Sequence, residues 1–202
     1  MKFRFLDCFA GLGGASEGFA KEEFECLGIE IEPKIAKLYP YDVIVADMKT
    51  LDGKNFKGFD VIWGSPPCRD FSILGKMCGK KWKIPPDPER GLILVNAFLK
   101  FVKDAEPTFW YMENVWRVRE FIELKPRATV YFNKGKRHCL WGNFPATLIP
   151  CVNKVFYTKK SPSGFRSSIY NCDKLRSWKI AKIPLPCSQA FAQACKEALM
   201  KS

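Results

Sequence analysis

Histidine is nearly missing from this chain: there is one, His138, in 202 residues. None of its nine cysteines stands in a C-x-x-C pair. Zinc sites draw closely spaced cysteines and histidines, so no metal site is expected. The cysteine count is odd and scattered, which fits free thiols in a reducing cytoplasm rather than a disulfide framework. No run of about eighteen apolar residues occurs, so no membrane span is expected. The amino terminus reads as a strand, with no secretory pattern. The fingerprint G-x-G-x-x-G fails at Ser16, and no Walker lysine follows the early glycines. Both failures argue against NAD, FAD and ATP. There is no internal repeat and no low-complexity tract.

What the chain has is the string GSPPCRDFS around Cys68. It follows an apolar run, Phe59, Val61, Ile62 and Trp63, that reads as a buried strand. Open α/β sheets bind ligands at the carboxyl ends of their strands. Pro66 and Pro67 stiffen the backbone that aims the thiol, and a thiolate is a strong nucleophile. A small buried hydrophobe is the plain alternative for such a cysteine. Three other stretches weigh against that alternative. In FRFLDCFAGLGGASEGFA, a strand meets Gly11, Gly13 and Gly14, then a helix whose start offers free amides to a ligand. In CLGIEIEP, Leu27, Ile29 and Ile31 alternate, and Glu30 lies where a carboxylate accepts from ribose hydroxyls. Continuing this stretch, VIVADM ends in Asp47, where a carboxylate could accept from an adenine amino group; solvated strand ends are the plain alternative for both acids. In TFWYMENV an apolar run ends in Glu113 and Asn114, and a glutamate in such a pocket can act as an acid, a structural helix cap being the alternative.

Together these residues resemble the cytosine-carbon-5 methyltransferase family. AGLGG matches the family's F-x-G-x-G-G cofactor loop through Phe9, Gly11, Gly13 and Gly14. Glu30 and Asp47 match its ribose and adenine acids, PPC its nucleophile motif, and Glu113, Asn114 and Val115 its ENV motif. The resemblance implies S-adenosylmethionine as cofactor, with S-adenosylhomocysteine as product. Phe9, Gly11, Leu12, Gly13, Gly14, Glu30, Ile31, Asp47, Met48 and Pro67 would hold it. It also implies Cys68 as nucleophile, Glu113 as acid, and Arg127 as a contact to the base or a phosphate. The sequence departs from the family at one position before ENV and more widely after it. Arg69 stands where glutamine is usual, and a Q-x-R-x-R motif survives only as Lys125, Arg127 and Thr129. The family's target-recognition domain has no counterpart here, as in compact phage-type or archaeal-virus-type members. IPLPCSQAFAQACKEAL resembles the closing helix that packs beside the cofactor.

The balance of charge is basic, with 33 lysines and arginines against 21 acids, a net +12. Clusters lie at Lys76, Lys80, Lys81 and Lys83 around Trp82, at Lys134, Lys136 and Arg137, and at Lys159, Lys160 and Arg166. Basic residues interleaved with aromatics suit nucleic acid; solvated lysine loops are the alternative. DNA is the expected polymer and RNA the second choice. A protein partner for target recognition and a non-catalytic nucleic-acid-binding module are further alternatives. The oligomeric state is left open.

The expected fold is α/β, a doubly wound, mostly parallel Rossmann-like sheet of the class I methyltransferase type, one domain over residues 1–202. Strands are expected near 3–7, 26–31, 43–46, 59–63, 108–112, 127–132 and 138–141. Helices are expected at 14–23, 33–39, 89–104 and 116–123. Residues 73–88 read as a lid loop. Residues 150–180 read as an irregular basic segment, either a reduced recognition region or a linker.

Overall fold

A computed structural model of the chain describes residues 2–72, 85–133, 136–148 and 182–201. The strands are β1 (Arg4–Cys8), β2 (Glu25–Glu30), β3 (Asp42–Val45), β4 (Val61–Gly64), β5 (Phe109–Val115), β6 (Ala128–Asn133) and β7 (Lys136–Asn143). The helices are α1 (Gly14–Lys21), α2 (Pro33–Ala36), α3 (Pro88–Ala105) and α4 (Leu185–Leu199). One sheet runs in the order β3-β2-β1-β4-β5-β7-β6. Its first five strands are parallel, and β7 runs antiparallel to both β5 and β6.

Helices cover both faces, which is why central strands such as β4 read as unbroken apolar runs. On one face α1 and α4 pack with Phe5, Trp63 and Tyr111. On the other, α3 sets Val95, Phe98, Phe101, Val102 and Ala105 against Leu6, Ile62 and Met112. Those α3 positions recur at helical spacing, and its start is set by Asp87, whose carboxyl accepts from the Glu89 and Arg90 amides. It stops at Glu106, which turns left-handed at φ 54°.

Two expected elements differ. The helix expected at 116–123 is a short 3₁₀ turn, Trp116–Glu120. Trp116, Val118, Phe121 and Ile122 all pack on the α3-side core, without forming a regular helix. The segment expected at 33–39 shortens to the single turn of α2. The lysine-rich part of the expected lid, residues 73–84, and the basic stretch 150–180 lie outside the described residues. So do the basic clusters at Lys76–Lys83 and Lys159–Arg166.

Candidate active site

The chain leaves β1 for β2 and β3 on one side of it, then crosses to β4 and β5 on the other. That reversal opens a crevice between the carboxyl ends of β1 and β4, where doubly wound sheets bind ligands. Residues 9–14 line one wall. Three of them are left-handed: Phe9 at φ 66°, Gly11 at 53° and Gly13 at 73°. For Phe9 that conformation costs on the order of 1 kcal/mol, so the surrounding contacts must hold it. Glu30, buried at the end of β2, is one such contact. Its Oε2 accepts the Gly11 amide at 3.0 Å and its Oε1 the Glu32 amide at 2.9 Å. Each oxygen retains a lone pair for a ligand hydroxyl. Next to it Ile31 is 61 % exposed, an apolar platform at the mouth of the crevice. Asp47 follows β3; the Lys49 amide and ammonium outweigh burial and hold its carboxyl below the usual range. Pro67 is exposed and Leu12 half-buried on the same edge. Met48 is buried in the α3-side core. Gly14 serves packing, because a Cβ there would lie 2.6 Å from the Ile183 backbone nitrogen.

Beneath the turn lies a buried polar cluster. The Ser16 hydroxyl donates to Asp7 Oδ2 at 2.6 Å and shares a 2.6 Å hydrogen bond with the Tyr39 hydroxyl. The residue that breaks the dinucleotide fingerprint therefore ties α1 to β1 and to the segment after α2.

The opposite wall carries Cys68. Of the six described cysteines, it alone is exposed. Burial pushes the Cys26 and Cys195 thiols up to about 12, which leaves them protonated and inert. Cys68 is fixed from two directions. Asn114, 1 % exposed, donates from Nδ2 to the Pro66 carbonyl at 2.9 Å, while its Oδ1 accepts the Val115 amide at 2.8 Å. Two residues past Cys68, Asp70 accepts from Arg90 Nε at 3.0 Å and from a second guanidinium nitrogen of Arg90. Burial works against the Asp70 charge, but Arg90 and the Asp87 amide outweigh it and hold the carboxyl below its ordinary value. Thus the end of β5 and the start of α3 both grip the loop that carries the thiol.

Glu113 stands beside Asn114 at the end of β5, with a side chain 13 % exposed. Its carboxyl pairs with Nδ1 of His138, which enters on β7 opposite Val115. Arg127 is not brought to this edge. Its guanidinium donates to Asn143 Oδ1 at 3.5 Å and lies 5.0 Å from the Phe144 ring centroid. Those residues sit at the other end of β7, near the Thr108 carbonyl that Asn143 also binds. Arg127 precedes β6, whose first residue Ala128 pairs with Leu140, level with Glu113; its side chain runs back to Asn143 rather than forward to the crevice. Glu113 is joined instead by His138. Asn114 was legible in the ENV string. The pairing of His138 and the grip of Arg90 on Asp70 were not, because both depend on which strands and helices meet.

Among the described residues, no group of three or more His, Cys, Asp or Glu side chains is placed to hold a metal ion. Likewise, no helix among them is long and apolar enough to cross a membrane.

Comparison with known proteins bears on the same residues. The family model described as C-5 cytosine-specific DNA methylase matches residues 3–127. The chain is 34 % identical over 142 residues to the type II methyltransferase M1.HphI of Haemophilus parahaemolyticus, covering 64 % of this chain and 37 % of that protein. It is 36 % identical over 136 residues to the type II methyltransferase M.DdeI of Desulfomicrobium norvegicum, covering 62 % and 30 %. The chain thus spans about a third of the length of these curated relatives. In fold it is similar to the methyltransferase EhMeth of Entamoeba histolytica, with a TM-score of 0.51 at 15 % identity over 80 % of this chain and 57 % of that one. A match over residues 3–127, running from the glycine turn through Cys68 to the Glu113 strand end, decides the family: the chain belongs to the C-5 cytosine-specific DNA methylases.

Proposed function

We propose that this chain transfers a methyl group from S-adenosylmethionine to carbon 5 of cytosine in DNA through a covalent Cys68 adduct. The observation that carries the reading is the Asn114–Pro66 hydrogen bond at 2.9 Å. It couples the strand end bearing Glu113 to the loop bearing the exposed Cys68, across from the glycine turn.

The turn and its neighbours fit the cofactor's chemistry. Glu30 would accept from ribose hydroxyls, Asp47 from the adenine amine, and Ile31 with Pro67 would cover an apolar ring face. The turn 9–14 would pass close to the amino-acid moiety. S-adenosylmethionine, when bound, supplies an electrophilic methyl group.

Cytosine carbon 5 is a poor nucleophile. Addition of the Cys68 thiolate to carbon 6 makes the ring enamine-like at carbon 5. Charge then develops toward ring nitrogen 3, and Glu113 donates a proton there while its carboxyl also accepts from the exocyclic amine. A cytosine stacked inside a duplex cannot reach Cys68, so the base is flipped out or comes from a single strand. The test is covalent trapping on DNA carrying 5-fluorocytosine in the presence of S-adenosylmethionine, with RNA of the same sequence in parallel. Wild-type protein should form a denaturation-resistant adduct with DNA, and Cys68→Ala none. Binding of S-adenosylmethionine without any adduct on DNA would overturn the proposal, and an adduct on RNA alone would reassign the polymer.

A further inference from the structure

We propose that His138 is a positioning residue that keeps a transferable proton on the Glu113 carboxyl. This rests on the methyl-transfer reading above and adds a role to the chain's lone imidazole.

The geometry is specific. β7 returns antiparallel to β5 and places His138 opposite Val115, two pairs nearer the crevice edge than Glu113 and Leu140. From there Nδ1 meets Glu113 Oε1. The imidazole is 20 % exposed and braced by Phe132 of β6, ring centroids 5.4 Å apart. In the turn after β5, Arg117 pairs with Glu120 at 3.2 Å; further charged groups near this corner include Arg137 on the same strand and Arg119 in that turn. Both guanidinium groups stack on Trp116, at 4.5 and 3.5 Å from its ring centroid. Cys139, next on β7, is buried, and burial pushes its thiol up, so it stays neutral. Glu113 is thus the carboxylate that the imidazole faces.

The proton count explains the need. A lone carboxyl gives up its proton well below neutral pH, whereas an imidazolium keeps its proton to higher pH. A pair holding one mobile proton exists either as imidazolium with carboxylate, or as neutral imidazole with carboxylic acid. In the second form Nδ1–H donates to Oε1, and the proton on Oε2 is free to meet the base. As the Cys68 sulfur bonds to carbon 6, the carbon 5–carbon 6 electron pair shifts to join carbons 5 and 4. The carbon 4–nitrogen 3 pair moves onto nitrogen 3, which takes the Oε2 proton. The carboxylate left behind keeps its hydrogen bond from Nδ1–H. Charge balances: the thiolate's negative charge ends on Glu113.

The test measures the trapping rate on 5-fluorocytosine DNA across pH for wild type, His138→Phe and His138→Asn, with S-adenosylmethionine affinity and melting temperature as controls. Phenylalanine keeps a packed ring and removes the donor. Asparagine keeps a donor near the Nδ1 position but holds no mobile proton. Wild type should slow as pH rises through the range in which imidazole titrates. Both variants should slow trapping by about tenfold to a hundredfold at neutral pH, with KM for DNA little changed. His138→Asn should regain rate as pH falls. Folded variants that match wild type in rate and pH profile would overturn the inference while leaving the methyl-transfer reading intact. A wild type that traps nothing would overturn that reading, and this inference with it.

Discussion

The Asp7 carboxyl is buried with Ser16 and Tyr39 and, among the described residues, has no cation beside it. Burial raises it from 3.8 to about 7, the Ser16 hydrogen bonds oppose the rise, and the nearby Glu30 adds to it. The folded protein therefore holds this proton more tightly than the unfolded chain. The sign follows: the contribution to stability is full below about pH 4 and is lost as pH rises through about 7. About three units correspond to at most about 4 kcal/mol. Asp7→Asn should remove this dependence. The stability difference, wild type minus variant, should fall steadily between pH 4 and 7 in urea titrations. A flat difference would show that Asp7 is charged at neutral pH in the native state. The same wall of the crevice holds Phe9 left-handed, so loosening it bears on the turn that faces the ligand.

Two contacts between elements set the shape of the crevice. Helix α4 lies directly against α1 at Gly18, where an added Cβ would come within 2.2 Å of the Ser188 backbone carbon. Backbone cannot yield as a side chain does, so Gly18→Ala should separate the two helices and cost about 2 kcal/mol or more. Denaturant midpoints would check this, and an unchanged midpoint would refute it. The second contact is the Arg90–Asp70 grip. Arg90 is 42 % exposed on its side chain, so the pair adds little to global stability. Its effect is local, because it anchors the loop two residues beyond Cys68. Arg90→Ala should leave the melting temperature nearly unchanged and slow trapping on 5-fluorocytosine DNA. Equal trapping rates would mean that the Asn114–Pro66 bond fixes the thiol by itself.

For the molecule as a whole, the net charge of +12 governs encounter with a polyanion. Arg119 and Arg137, stacked on Trp116 beside Glu113, place part of that charge at the crevice edge. Binding to DNA should weaken steeply with salt, by about tenfold or more between 50 and 200 mM. Affinity independent of salt would remove phosphate contacts from the account. The core has a different origin from the charge. Phe191, Ala192, Cys195 and Leu199 of α4 fill the face shared with Trp63 and Tyr111. Those residues lie beyond the 3–127 stretch matched by the family model. Lys182 with Glu17 at 2.7 Å and Lys196 with Glu23 at 2.8 Å fasten this helix along α1.

Local patterns in the chain determined the strand-helix alternation, the glycine turn, the cysteine-bearing loop after β4 and the acids at the ends of β2 and β5. Each is encoded within a few residues, because strand ends, turns and caps depend on near neighbours. Tertiary structure alone decided which distant residue stands beside Glu113. Periodicity finds strands without saying in which direction they pair. The motif arginine before β6, Arg127, was therefore the expected contact to the base or a phosphate. The antiparallel return of β7 carries His138 to Glu113, while the Arg127 side chain runs back to Asn143. Register between strands is fixed by packing across the whole sheet, which no local window contains.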